Sequence, residues 1–150
     1  MYSEDRRLDR IYGFVAIIVV AAIVAGVLGF RHFSARSAFQ RELRRLSDET
    51  GWEVTIASVH GSEEVTLAGE EAQPLIDAAK ELRFDGRESS GPYQGSGDEV
   101  YVFISSDRYA FPALTLSREG ESRMSLDDMS AKLADTEALY DLASEALRDA

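Results

Sequence analysis

Cysteine is missing altogether from the 150 residues. That excludes disulfides, thiolate zinc sites, a Cys nucleophile and a lipidated cysteine anchor, and it leaves the redox compartment unstated. Histidine is nearly missing: only His32, just beyond a long apolar run, and His60, in a turn-like stretch, are present. They are too far apart to act together, so no Cys-His or His-cluster site can be assembled within one chain. Lysine is scarce, Lys80 and Lys132 standing against fourteen arginines. The bias fits a GC-rich or salt-adapted bacterium and speaks to solubility rather than to function. Positive charge as a whole is outweighed, with 16 basic against 27 acidic side chains and a net charge of -11. This argues against a nucleic-acid partner, because a phosphate backbone is held by clustered cations.

One hydrophobic run stands out against this background. Residues 11–30, IYGFVAIIVVAAIVAGVLGF, carry no charge, and at about 1.5 Å rise per residue they match a hydrocarbon core of about 30 Å. No face of such a helix is polar, unlike the core helix of a small protein. Arg6, Arg7 and Arg10 ahead of it would also suit a signal peptide, but the run is longer than a usual signal core. Its best small-x-small candidate, Val24-Ala25-Gly26, lies inside it, so the segment reads as an uncleaved anchor. Ala21, Ala25 and Gly29 recur every four residues with Ala22 and Gly26 beside them, a face on which another membrane helix can pack closely. Arg31, Arg36, Arg41, Arg44 and Arg45 follow the run, and counted literally they favour a cytoplasmic domain. The layout of basic leader, anchor and folded domain is that of a signal-anchored single-pass protein and leans the other way, since large domains translocate largely regardless of charge.

Charge divides the chain. Residues 1–30 hold three Arg and three acids, residues 31–45 five Arg and one Glu, and residues 46–150 eight bases and 23 acids. This predicts a polar tail over 1–10, a transmembrane helix over 11–30, a basic juxtamembrane helix over 31–47 and an acidic domain over 48–150. In the basic segment Ala35, Phe39, Leu43 and Leu46 share a helical face. That stripe suits packing on the chain's own domain, a short coiled coil, or, with its arginines, attraction to anionic headgroups.

The acidic domain reads as α+β. Val54 and Ile56 alternate with Glu53 and Thr55, and Val65-Thr66-Leu67 resumes the alternation after a His60-Gly61-Ser62-Glu63 turn, predicting a hairpin. Glu70 to Arg83 spaces Leu75, Ile76, Ala79 and Leu82 as one helical face, with Pro74 in its first turn and Glu70 and Glu71 at its start. Residues 85–98, DGRESSGPYQGSGD, predict an exposed loop. Val100 to Ile104 is apolar on both faces, as a mid-sheet strand is. Leu114 and Leu116 give the strand after Pro112 a core face, and Arg123 to Leu126 adds a short fifth strand. Ser125-Leu126-Asp127-Asp128 suits a helix start, and from Thr136 the stripe Leu139, Leu142, Ala143, Ala146 and Leu147 predicts a C-terminal helix. The β-β-α-β-β order predicts an antiparallel sheet of four or five strands with helices packed on it.

Chemistry is harder to find. Glu63-Glu64, Glu70-Glu71, Asp98-Glu99 and Asp127-Asp128 are neighbours, and adjacent side chains diverge on a strand or a helix, so these pairs are not built to share one proton or one metal. Asp98 and Glu99 with loop carbonyls could approach calcium, but lack the alternating oxygens of a dedicated loop. The glycine-rich stretch Gly91 to Gly97 is followed by a strand and two acids rather than by a helix, the wrong context for a phosphate cradle. No serine lies in a G-x-S-x-G elbow, and Lys80 and Lys132 fall on solvent-facing helical positions. No cofactor and no metal are expected.

Gly13-Phe14 behind a charged leader, with an apolar helix running on into an amphipathic one, resembles the amino terminus of a type IV pilin or pseudopilin over about 35 residues. The resemblance implies cleavage after Gly13 and a structural subunit, although the fifth mature position, Glu in that family, is Ile18 here. The residues themselves predict a single-pass, non-enzymatic membrane protein with an acidic interaction domain. Its expected partners are the membrane, a second copy through the transmembrane helix, or membrane and envelope proteins reached through the span or the sheet's edge. The alternative is a tethered ligand sensor or hydrolase with a site near the 85–98 loop, built from Glu88, Tyr93, Asp98 and Tyr101.

Overall fold

A computed structural model describes residues 2–87, 95–127 and 129–150, and the chain divides into two compact units, Met1–Ser34 and Ala35–Ala150. Helix α1, Tyr2–Asp48, belongs to both. In the first unit its side chains from Tyr12 to Phe33 are exposed, and none of its apolar window is buried. It is long and apolar enough to cross a membrane.

In the second unit α1 supplies part of the core. Ala35, Phe39, Glu42 and Leu46 recur at steps of four, three and four and are all buried, so the amphipathic stripe packs on its own domain. The second compact unit thus includes this stripe and begins at Ala35. The helix is closed by Gly51, with φ +73, and by Trp52, whose indole N–H donates to the carbonyls of Leu46 (3.2 Å) and Glu49 (3.1 Å). Those carbonyls belong to the last turn, where the chain can offer no helical N–H.

Seven strands follow. They are β1 (Glu53–Ser58), β2 (Glu64–Ala68), β3 (Arg83–Arg87), β4 (Val100–Ser105), β5 (Leu114–Leu116), β6 (Arg123–Leu126) and β7 (Met129–Ala134). Helix α2, Gln73–Lys80, precedes β3, and α3, Glu137–Asp149, follows β7. All strand pairs are antiparallel, in the order β2-β1-β4-β5-β6-β7-β3. The fold is α+β as the sequence predicts, and the β1–β2 hairpin turns at Gly61, φ +65.

One face of the sheet carries the core. Val54, Ile56, Val102, Ile104, Leu114, Leu116 and Met124 are fully buried, together with Ile76 and Ala79 of α2 and Leu139 and Ala143 of α3. Burying each such Leu or Ile contributes about 1.5–3 kcal/mol. Strand β4 lies mid-sheet, but only its Val100, Val102 and Ile104 side is buried, whereas Phe103 is 45% exposed. The expectation of burial on both faces of β4 is corrected: the three helical segments share one face, and on the other, exposure differs from residue to residue, 45% at Phe103 but 7% at Thr115 of β5.

The remaining differences have local causes. Helix α2 is shorter than the predicted 70–83 span, because Arg83 already pairs with Ala134 as the start of β3. Glu70 and Glu71 precede the helix, whose first turn holds no acid, while Pro74 does stand in that turn. The predicted 85–98 loop begins inside β3, an edge strand of charged residues around a single inward Phe84, bulged next to Gly86 (φ +143). The Ser125–Asp128 helix start is instead the β6–β7 hairpin; Asp128 itself lies outside the described residues. Ala131 and Leu133 alternate inward, which makes this a strand and puts Lys132 on β7 rather than on a helix.

Candidate functional site

The densest polar arrangement in the second unit surrounds Asp98, one of the sequence candidates. The loop before β4 brings Asp98 against the β5–β6 turn. Its Oδ1 accepts from the hydroxyls of Ser117 (2.6 Å) and Ser96, and its Oδ2 accepts from the backbone N–H groups of Arg118 (2.7 Å) and Glu119 (3.1 Å). Gly120 N–H donates to Ser117 Oγ at 2.7 Å. Tyr140 of α3 donates its hydroxyl to the Asp98 carbonyl at 3.0 Å. Next to it the buried Glu99 accepts from the N–H of Ser96 and, at 2.8 Å, from that of Gly97. A second tier ties Ser117 N–H to Ser122 Oγ (3.0 Å) and Thr136 Oγ1 to Ser122 Oγ (3.2 Å).

Two glycines make room for this. A Cβ on Gly95 would stand 2.7 Å from Glu99 Oε1, and one on Gly120 would stand 3.0 Å from the hydroxyls of Ser96 and Ser117. Burial pushes the Asp98 pKa up, but the bonds from Ser117, Ser96, Glu119 and Arg118 outweigh it and hold the carboxyl well below the usual Asp range. An anion saturated by four donors neither gives nor takes a proton near neutral pH, so Asp98 serves as a fastener between two loops rather than as an acid or a base.

The four residues proposed for the loop site are not assembled by the described residues. Glu88 and Tyr93 lie outside them. Asp98 is engaged as above, and half-buried Tyr101 sits on the side of β4 away from the core, in register with Ala57 and Thr115. The small residues Ala21, Ala22, Ala25, Gly26 and Gly29 are exposed on α1, and a Cβ on Gly26 or Gly29 would meet nothing within 4 Å. Of the basic residues, Arg31 and Arg36 are exposed. Arg41 and Arg45 approach Glu42 Oε1 at 3.4 and 3.8 Å, Arg45 also lies 4.9 Å over the Tyr109 ring, and Arg44 reaches the Gln40 carbonyl at 3.4 Å. His60 is exposed in its hairpin turn. Among the described residues, no three His, Cys, Asp or Glu side chains could hold a metal ion.

Beside the Asp98 fastener a cleft of about 490 Å³ opens between β7, the start of α3 and the 117–122 turn, lined among others by Asp85, Arg118, Lys132, Glu137, Tyr140 and Asp141. Arg118 pairs with Asp141 and lies 5.3 Å over the Tyr140 ring, and Lys132 meets Glu121 at 2.7 Å. Neither Asp98 nor Tyr101 lines it. Sequence reading missed Ser117, Arg118 and Tyr140, which meet Asp98 from 19, 20 and 42 residues away, with no local spacing to announce them. A second cleft of about 720 Å³ lies between the end of α1 and the start of α2, lined by Trp52, Pro74 and Lys80 among others. No family model, no curated protein and no solved structure significantly matches this chain.

Proposed function

We propose that the protein is a membrane-anchored interaction module without catalytic activity of its own. The observation that carries this reading is the stretch from Tyr12 to Phe30, whose apolar side chains are exposed along a continuous helix. In water such a surface would cost about 25 cal/mol for every Å² left wet, whereas a bilayer accommodates it. The second unit supports the binding half of the reading. On the side of the sheet away from the core it leaves Phe103 of β4 45% exposed, and its most strongly bound carboxylate is occupied in holding loops. The lean is towards an extracytoplasmic domain, with Arg6, Arg7 and Arg10 on the cytoplasmic side.

The test is membrane extraction combined with topology. Full-length protein should stay with the membrane through alkaline carbonate and leave it only with detergent. A reporter fused after Ala150 should be active when it is one that works outside the cytoplasm and silent when it works only inside. Carbonate release would overturn the anchor, and an inside signal would overturn the orientation while leaving the anchor standing. A mature mass shortened at Gly13 would move the reading to a processed, pilin-like subunit.

A further inference from the structure

Resting on the reading as an interaction module, we propose that its partner is a second copy of this chain, joined edge to edge through β2 about a twofold axis at Thr66. The two edges of the sheet are unlike. On β3, Arg83 and Asp85 are exposed and the strand is bulged next to Gly86, the usual protections of an open edge. On β2, Glu64-Val65-Thr66-Leu67-Ala68 holds one charge, no Lys and no Pro, and runs in unbroken register with β1.

Backbone alternation identifies the outward groups. Ser58 N–H donates to the Glu63 carbonyl at 3.1 Å. Counted along the register from that pair, the N–H and C=O groups of Val65 and Leu67 turn towards β1, and those of Glu64, Thr66 and Ala68 turn outwards. These three residues are exposed, and among the described residues no backbone group pairs with their outward N–H and C=O. Thr66 keeps its hydroxyl on that of Thr55 at 3.0 Å, so its backbone is what the edge offers. The apolar layer stops short at the same place. In the rows Ile104-Val54-Leu67 and Val102-Ile56-Val65 the first two members are at most 1% exposed, whereas Leu67 and Val65 are only half-buried.

A second β2 laid antiparallel about Thr66 completes both. Glu64 then lies opposite Ala68, Val65 opposite Leu67, and Thr66 opposite its own counterpart. Three outward pairs exchange about six backbone hydrogen bonds, the apolar rows run on from one copy into the other, and the one charge of the strand faces an alanine rather than its like. This self-complementarity selects the occupant. It also selects the mode, because β2 on β2 closes as a dimer, whereas β2 on the charged, bulged β3 would leave edges open for endless addition. Five residues make a seam of about 17 Å, small beside the standard of about 800 Å² per partner, so the pairing relies on both chains being held in one membrane.

The missing cysteines make the test clean. Full-length Thr66→Cys in native membranes under a mild oxidant should give a disulfide-linked dimer, since facing Cα atoms about 5.5 Å apart suit that bond. Glu64→Cys and Ala68→Cys, likewise exposed, would each stand about 14 Å from their own counterparts. Each alone should give at least fivefold less dimer, and the two in one chain should crosslink, which fixes the register. In that double-cysteine background Thr66→Lys and Thr66→Glu should each cut the yield at least fivefold, and co-expression of the two chains should restore it. Residue 66 meets its own counterpart only between copies, so rescue can arise nowhere else. Equal yields from the three single cysteines, or losses without rescue, would overturn the proposal. A chain that resists carbonate extraction yet gives no dimer would overturn the pairing and leave the anchor standing. Adducts to other proteins alone would overturn the second copy as partner and leave the interaction module intact.

Discussion

Asp98 draws its donors from both sides: Ser96 from its own loop, and Ser117, Arg118 and Glu119 from the turn after β5. Its folded-state pKa lies below the ordinary Asp value of about 3.9. The stabilisation is therefore complete above that value. As the pH falls below about 4, the unfolded chain takes up the proton first and the stabilisation drains away towards the folded-state pKa. Asp98→Asn is expected to cost about 1–3 kcal/mol at neutral pH, since its amide nitrogen would face N–H donors. Thermal melts of both proteins between pH 7 and pH 2 should converge in acid; parallel curves would refute the assignment. Glu42 presents the opposite case, a carboxylate 5% exposed whose Oε2 has no partner among the described residues. Glu42→Leu is expected to raise stability by about 1 kcal/mol or more, because its neighbours Arg41 and Arg45 remain solvated. A lowered melting midpoint would show that the ion pairs outweigh the orphaned oxygen.

Among the elements, those that carry their own period were legible. The β1–β2 hairpin alternates Val54 and Ile56 against Glu53 and Thr55, and α3 repeats Leu139, Ala143 and Leu147 every fourth residue. Strand β3 was not, since an edge strand needs one inward side chain, here Phe84, and protects itself with charge. Strand β7 was hidden behind a plausible capping sequence, and what decides for strand is the pairing of Met124 with Ala131 across the hairpin. The candidate site was half legible: Asp98 was singled out, but three of its four donors lie about twenty residues along the chain, so its role was not. Asp135 joins β7 to α3 at φ +57 and meets Arg83 Nε at 3.0 Å. That exposed ion pair is worth little, whereas the left-handed backbone matters. Asp135→Val is expected to destabilise by about 1–2 kcal/mol and Asp135→Gly to be neutral or better. Equal losses from both in thermal melts would point to the ion pair instead.

At the scale of the molecule, the second compact unit begins at Ala35, about a dozen residues ahead of the start that composition suggests. The charge change near residue 46 is a property of the surface, while the boundary is set by what the interior needs, and Phe39 and Leu46 are both fully buried in it. One helix thus has two surroundings: from Tyr12 to Phe33 its side chains are exposed, and from Ala35 one stripe lies in a protein core.

That shared helix fixes where the chain can be cut. A fragment starting at Ala35 keeps the stripe and is expected to be soluble with a cooperative melt. A fragment starting at Asp48 loses Phe39 and Leu46, each such deletion costing about 2–5 kcal/mol, and should not fold. Matching melts of the two fragments would show that the stripe is dispensable. A protease cutting the chain ahead of Ala35 would therefore release an intact domain, and one cutting a dozen residues later would destroy what it releases.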